Sequence, residues 1–108
     1  MTDKKAEVYM GEVRAGILTE EKETGLYSFS YLPDYTGPPI SLTMPVRREP
    51  YVFIEFPPFF DGLLPEGIQL ESLLRRRKID RKDYFSQLLA VGSDMVGAVT
   101  VYPLEDGV

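Results

Sequence analysis

The sequence contains neither cysteine nor histidine. Without cysteine the chain has no disulfide framework, no thiolate metal site and no thiol nucleophile. Without histidine it lacks the side chain best suited to proton transfer near neutral pH, which is also the commonest metal ligand. The missing cysteines favour a cytoplasmic location. We expect no catalytic residue, no cofactor and no metal site, and hence no enzyme.

Long apolar runs and a strongly basic composition are also missing. No stretch approaches the roughly 20 apolar residues that cross a bilayer, and the N-terminus lacks the pattern of a secretory leader. The net charge is −5 and the sequence pI is about 4.7, which disfavours contact with a phosphate backbone. We therefore expect no membrane association and no direct nucleic-acid binding, whereas a basic protein partner would suit the charge. The length of 108 residues fits one domain, residues 1–108.

Apolar alternation in the first half of the chain predicts strands. Residues 6–10 and 12–19 are predicted to pair as a hairpin around a tight turn at Gly11. Residues 40–46 predict an edge strand that ends at a proline, and residues 51–56 predict a short strand or extended segment.

Residues 26–32 predict a third strand in which Tyr27, Phe29 and Tyr31 face one way. Such alternation is typical of the core face of a sheet. A platform for stacking nucleic-acid bases is the alternative interpretation, but few cations lie near this strand. We therefore expect the three rings to belong to the core.

The apolar spacing changes to three and four residues after Glu66, which predicts a helix to about Lys78 with Pro65 in its first turn. Asp80 is predicted to cap a second helix, with Asp83 at its third position. The basic run in the last turn of the first helix complements the helix dipole and is interpreted as a solvated helix end. This run comprises Arg75, Arg76, Arg77 and Lys78.

The end of the chain returns to strand. Gly92 is a natural helix C-cap, and residues 95–104 are rich in β-branched side chains. The predicted fold class is α+β, a small antiparallel β-sheet or barrel-like domain with two α-helices.

Residues 56–67, read as FPPFFDGLLPEG, place five large apolar side chains in a segment with three prolines and two glycines. This composition predicts a loop rather than a regular helix or strand, and a loop this apolar must fold onto the core or be covered by a partner. We expect the phenylalanines to plug one end of the sheet. Leu63 and Leu64 lie between a predicted Asp61–Gly62 turn and Pro65, so at most one of them is expected to fold inward. The other would be an exposed anchor for a partner.

Catalytic patterns in the same segment are weak. Asp61 and Glu66 offer a carboxylate pair for acid–base work, but 17 acidic residues make such pairs common. A turn aspartate and a first-turn glutamate are the simpler interpretation. Phe60, Asp61 and Gly62 superficially match a kinase metal motif, yet no phosphate loop or catalytic loop accompanies them.

Several segments together resemble a known family. FFDGLLPEG at residues 59–67 is similar to the FF-D-x-LLPEG signature of the N-terminal subdomain of HipA-type serine/threonine kinase toxins. The resemblance extends through YMGEVRAGILT, YSFSYLPDY and ISLTMPVRREPY before this motif and GSDMVGAVTVYP after it. It therefore covers nearly the whole chain in order, and it implies the fold of that subdomain.

The resemblance also implies a function. In that family the subdomain leads into the kinase lobes, which are not part of this sequence, and a stand-alone subdomain resembles the HipS antitoxins of tripartite HipBST systems. The implied partners are HipT, a shortened HipA-like serine/threonine kinase toxin that is bound and inhibited in trans, and HipB, a DNA-binding protein in a ternary complex. The implied contact comprises Phe59, Phe60, Asp61, Gly62, Leu63, Leu64, Pro65 and Glu66.

Within this contact Leu63 and Leu64 are expected to anchor the kinase, while Asp61 stabilises the turn and Glu66 accepts a hydrogen bond or pairs with a basic kinase residue. A steric wedge between the kinase lobes is favoured over simple docking, because leucine blocks by shape and cannot mimic phosphate. Two alternatives stay open: an assembly subunit that does not inhibit, and a fragment of a full-length HipA-like kinase.

Overall fold

The computed structural model describes residues 3–94 and 97–104. Within these ranges the predicted α+β class is confirmed: five antiparallel strands form one open sheet in the order β4-β3-β2-β1-β5, and three α-helices lie between β4 and β5 in the chain. The strands are β1 (Lys4–Met10), β2 (Val13–Glu20), β3 (Tyr27–Tyr31), β4 (Tyr51–Phe53) and β5 (Val99–Leu104). The helices are α1 (Pro58–Asp61), α2 (Gly67–Arg77) and α3 (Tyr84–Val91), and a 3-10 turn follows at Gly92–Asp94.

The predicted hairpin is confirmed, although β1 begins two residues earlier than expected and β2 is shifted by one residue. Gly11 in the turn has a φ of 63°, a left-handed conformation that glycine adopts without strain. A β-bulge between Val8 and Tyr9 shifts the register of β1 against β2. On its other side β1 pairs with β5, where Val8 lies opposite Val101. The predicted last strand is also present, although residues 95 and 96 lie outside the described ranges.

The aromatic side chains of β3 form the core face, as predicted. Phe29 is completely buried and Tyr31 nearly so, with their ring centroids 4.9 Å apart, while Tyr27 is half-buried. Phe60 from α1 packs on Phe29 at 5.8 Å between centroids, and Phe85 of α3 joins the same core. The stacking platform is excluded for Phe29 and Tyr31, because their rings are covered by the chain itself.

The edge strand predicted at residues 40–46 is wrong. The structure has only an isolated bridge between Ser41 and Met44, in which the Met44 amide donates to the Ser41 carbonyl oxygen. The Tyr31 hydroxyl holds both ends of this turn, because it donates to the Met44 carbonyl at 2.5 Å and accepts from the Ile40 amide at 3.0 Å. The turn buries Ile40 and Met44 but leaves Leu42 95% exposed. The apolar alternation here therefore comes from a loop that buries Ile40 and Met44, not from a strand.

Helix α2 begins and ends within one residue of the prediction. Glu66 is its N-cap residue, so Pro65 lies just before the helix and not in its first turn. Lys78 ends the helix with a left-handed φ of 55°. Of the apolar residues in α2, only Leu73 is buried, and the helix packs against α3. Helix α2 therefore lies at the periphery of the domain.

The N-cap residue predicted for α3 is wrong. Asp83, not Asp80, is the N-cap, and its side chain accepts hydrogen bonds from the Ser86 amide at 3.1 Å and the Ser86 hydroxyl at 2.7 Å. Asp80 instead begins the turn before the helix, where its side chain accepts from the Lys82 amide. Gly92 follows the last residue of α3, as expected, but continues in a right-handed conformation into the 3-10 turn.

None of the helices within the described residues has the length and apolar character needed to cross a membrane.

Candidate functional site

The segment 56–67, hereafter the LLPEG segment, is more ordered than its composition suggests. The expectation that it contains no regular structure is wrong for residues 58–61, which form one turn of α-helix. Pro57 and Pro58 preset the backbone angle that the first helical turn needs. The Asp61 amide donates to the Pro57 carbonyl at 2.9 Å, and the Gly62 amide donates to the Pro58 carbonyl at 3.0 Å.

The phenylalanines anchor this segment in the core. Phe60 is completely buried and Phe56 is buried, as predicted, whereas Phe59 is half-buried and packs edge-on against Phe60 at 5.1 Å between ring centroids. Phe56 contacts the Tyr27 ring at 5.3 Å and the Tyr84 ring at 5.8 Å. Burying a phenylalanine contributes about 1.5–3 kcal/mol, so these contacts fix where the segment lies.

Leu63 and Leu64 do not form the exposed tip that was expected. Both side chains are half-buried and pack against the edge of the core. Their backbone continues the turn, since the Leu63 amide donates to the Phe60 carbonyl at 3.0 Å and the Leu64 amide donates to the Asp61 carbonyl at 3.1 Å. Successive turns bring both leucines back towards the core, where the sequence suggested that one must point away.

A groove of about 400 Å³ runs beside these leucines. It is shaped by the LLPEG segment, the start of α2 and the turn after α3. Its lining residues are Gly62, Leu63, Leu64, Pro65, Gln69, Val91 and Asp94. The groove is open to solvent and mixed in character, which suits a protein side chain better than an enclosed small molecule.

Ile68 is an exposed apolar residue of this region that was not selected from the sequence. Its side chain is 88% exposed although it directly follows the LLPEG segment and lies in the first turn of α2. The helical spacing placed Ile68 with the buried stripe of α2. Its exposure depends on how α2 sits against α3, and no local pattern reports that arrangement.

The two acidic residues of the site are exposed. Asp61 supports the turn through its backbone carbonyl, and within the described residues its carboxylate accepts no hydrogen bond. Glu66 acts as the N-cap residue of α2 without a side-chain cap, and its carbonyl accepts from the Leu70 amide at 3.3 Å. Asp94 lines the groove nearby. These carboxylates give the surface a negative character that is free to meet a basic partner.

No candidate metal centre lies within the described residues. No group of three or more acidic side chains there could hold a metal ion, and every buried side-chain polar atom there has a partner. The described groups with shifted pKa values lie elsewhere. Burial raises the pKa of Tyr27, Tyr31 and Tyr35. For Asp83, burial raises the pKa, but the hydrogen bonds from Ser86 and the charge of Lys4 outweigh burial and hold the pKa below its usual value.

A buried glutamine holds the connection between α2 and α3 and was also missed. Gln87 is 2% exposed, and its amide nitrogen donates to the Arg81 carbonyl at 2.9 Å and to the Asp80 carbonyl at 3.3 Å. These bonds tie α3 to the turn before it. Its position on the inner face of α3 is the signal that could have identified it.

Comparison with known proteins gives a consistent result. The family model described as the HipA N-terminal domain matches residues 6–102. A Haemophilus influenzae protein of unassigned function is 37% identical over 86 residues, which is 80% of this chain and 79% of that protein. Two Sinorhizobium fredii proteins, named "Putative kinase Y4mE" and "Putative kinase Y4dM", are 35% and 34% identical, but the match covers only 18% and 21% of their lengths.

Solved structures agree. The structure titled "N-terminal domain of HipA toxin" superimposes with a TM-score of 0.75 and 31% identity over 99% of this chain and all of that one. A Shewanella oneidensis complex of HipA, HipB and operator DNA contains a chain that matches with a TM-score of 0.71, at 22% identity and over 24% of that chain. This chain belongs to the HipA N-terminal domain family.

Proposed function

We propose that this chain is an antitoxin of the HipBST type, which binds a HipT-like serine/threonine kinase in trans and inhibits it. A HipB-like DNA-binding protein would complete the complex, which would act in the cytoplasm. The chain itself would contribute no catalysis. The observation that carries this proposal is the exposed Ile68 side chain in the first turn of α2, directly after the LLPEG segment whose residues line the groove.

The relatives support a kinase as the partner. In the two Sinorhizobium proteins named as putative kinases, the matched domain is about a fifth of a longer chain. A domain of that kind has a surface suited to the rest of its own polypeptide. When the domain and the kinase are separate chains, the same surface can make the contact between them.

We assign different roles to the residues of the proposed contact. Leu63 and Leu64 form a wall of the groove and shape it, whereas Ile68 protrudes and can fill an apolar pocket on the kinase. Phe60 anchors the segment in the core, and Phe59 packs against Phe60. Asp61, Gly62, Pro65 and Glu66 complete the surface.

Inhibition by shape follows from this chemistry. An aliphatic side chain cannot imitate a nucleotide phosphate, so the contact would act by favouring a kinase conformation whose lobes cannot close. The assembly alternative requires binding without loss of kinase activity. A fragment of a longer kinase is the remaining alternative, and it would be revealed by continuous coding after Val108.

The test compares Ile68→Ser with Leu42→Ser. Both side chains are more than four-fifths exposed, Ile68 in the first turn of α2 and Leu42 in the turn between Ser41 and Met44, so neither substitution is expected to change stability by more than about 0.5 kcal/mol. Binding to the purified kinase is measured by calorimetry, and kinase activity by phosphate transfer. Loss of an anchor residue should weaken binding about tenfold or more for Ile68→Ser, while Leu42→Ser behaves as the parent protein.

Equal binding by the Ile68→Ser variant and the parent would contradict the proposed contact. Tight binding of the parent chain with unchanged kinase activity would replace inhibition by the assembly function. A second variant, Leu63→Ala with Leu64→Ala, separates these steps, provided that its thermal unfolding is measured because both side chains pack on the core. Lost inhibition with retained binding in this variant supports the wedge, and unchanged inhibition argues against it.

A further inference from the structure

The positive charge of the chain is concentrated in one short stretch, residues 75–82, hereafter the basic segment. It contains six of the twelve lysines and arginines and one of the seventeen acidic residues. The basic segment therefore carries a formal charge of +5, while the other 100 residues carry −10. The net charge of −5, from which the absence of nucleic-acid contact was predicted, conceals this separation.

Most of these cations have no partner within the described part of the chain. Arg75, Arg76, Lys78 and Lys82 are exposed, and their side chains make neither an ion pair nor a hydrogen bond there. Two others are engaged. The Arg81 guanidinium pairs with the Glu71 carboxylate at 2.6 Å, and the Arg77 guanidinium lies 3.5 Å from the Ala90 carbonyl oxygen. Four of the six cations therefore remain available to a ligand.

Stabilisation of the fold does not account for the whole segment. Arg75, Arg76 and Arg77 lie in the last turn of α2, where positive charge is favourable. Arg81 and Lys82 instead precede Asp83, the N-cap of α3, and positive charge is unfavourable at that end of a helix. Because the positive charge of Arg81 and Lys82 does not stabilise α3, we infer that it serves to bind a ligand.

The composition of the basic segment favours a phosphate backbone over a protein surface. Protein interfaces are enriched in arginine but poor in lysine, and they usually include aromatic or apolar anchors. The basic segment has no aromatic residue, and its single apolar residue, Ile79, is half-buried. Protein–DNA interfaces are far more positively charged. Single strands are disfavoured, because their binding relies on aromatic stacking.

We propose that the basic segment binds the phosphate backbone of duplex DNA without reading its sequence. The acidic remainder of the chain weakens this contact less than its charge suggests, because the Debye length is only about 8 Å at physiological ionic strength. The site goes beyond the proposed kinase contact and is separate from it. Ile68 and Arg76 are eight residues apart on α2, which corresponds to about 12 Å along the helix axis.

The test is a nuclear magnetic resonance titration of the isotopically labelled full chain with a 16-base-pair DNA duplex at about 50 mM salt. Backbone shift changes are expected to centre on residues 75–82, with weak affinity in the range of non-specific binding. Four phosphate contacts predict that affinity falls about 50-fold between 50 and 150 mM salt. Arg75→Gln with Arg76→Gln should remove about half of that salt dependence.

The control variant is Lys22→Gln with Arg48→Gln, which changes the net charge equally at two exposed positions outside the basic segment. It should retain the parent's affinity and salt dependence. The proposal is overturned if the two variants weaken binding equally, if the shift changes lie elsewhere, or if no binding occurs at 50 mM salt. It is also overturned if polyglutamate of equal charge binds the segment more tightly than the duplex, since an acidic protein would then be the ligand.

Discussion

The Tyr31 hydroxyl stabilises the loop at residues 40–46 through two hydrogen bonds. Its two hydrogen bonds join the Met44 carbonyl and the Ile40 amide, and all three residues are at least 94% buried. In Tyr31→Phe the ring still fills the core, but both backbone groups lose their partner. An unsatisfied buried polar group costs about 1–3 kcal/mol. For two such groups the expected loss in free energy of unfolding is therefore about 2–6 kcal/mol.

Two other tyrosines provide matched controls. The Tyr35 hydroxyl donates one bond, to the Pro38 carbonyl at 2.5 Å, and the Tyr51 hydroxyl donates one exposed bond, to the Pro45 carbonyl at 2.5 Å. Urea unfolding of the three Tyr→Phe variants should give losses in the order 31, 35, 51, with about 1 kcal/mol for Tyr35→Phe and less than that for Tyr51→Phe. A Tyr31→Phe loss no larger than that of Tyr51→Phe would refute the assignment of a double bridge.

Two further predictions concern the helices. Asp83 has a lowered pKa in the folded protein, so its contribution is fully present above the unfolded pKa near 3.8 and is lost as the pH falls through the folded value. Asp83→Ala should cost about 1 kcal/mol at pH 7 and little below the folded pKa, measured by urea unfolding across pH; a loss that is constant with pH would contradict the cap. Gly92→Ala should lower the free energy of unfolding, measured by thermal unfolding, by about 1–3 kcal/mol, because a Cβ there would overlap the Val101 carbonyl oxygen. Gly62→Ala is its control and should be neutral or slightly stabilising, since its Cβ would meet carbonyl oxygens at an ordinary 3.5 Å; equal losses would contradict the packing at Gly92.

The hairpin and α2 were predictable because local chemistry specifies them. A glycine that tolerates positive φ lies between two alternating runs at Gly11, and a proline precedes a three–four apolar spacing at Pro65. The error at α3 has an equally local origin. Asp80 and Asp83 are both able to cap a helix, and only the positions of the Ser86 amide and hydroxyl decide in favour of Asp83.

The loop at residues 40–46 shows what local patterns cannot specify. Its alternation is that of a strand, yet the partner that fixes its conformation is a hydroxyl from β3, many residues earlier in the sequence. The composition of the LLPEG segment was enough to predict that its phenylalanines pack on the core. Which apolar side chains in this region are exposed was not predictable, because the partial burial of Leu63 and Leu64 and the exposure of Ile68 depend on tertiary packing.

The rigidity of the LLPEG segment bears directly on how it can bind. A flexible apolar loop would lose conformational freedom on association, and that loss would offset part of the contact energy. Here four consecutive backbone hydrogen bonds, from the Asp61 amide to the Leu64 amide, and the buried Phe60 ring fix the segment before any partner arrives. Ile68 follows on the first turn of α2, so its position is also fixed relative to the groove. A preformed surface of this kind is consistent with the proposed kinase contact, in which the partner's conformation would adjust to the domain as the proposed inhibition requires.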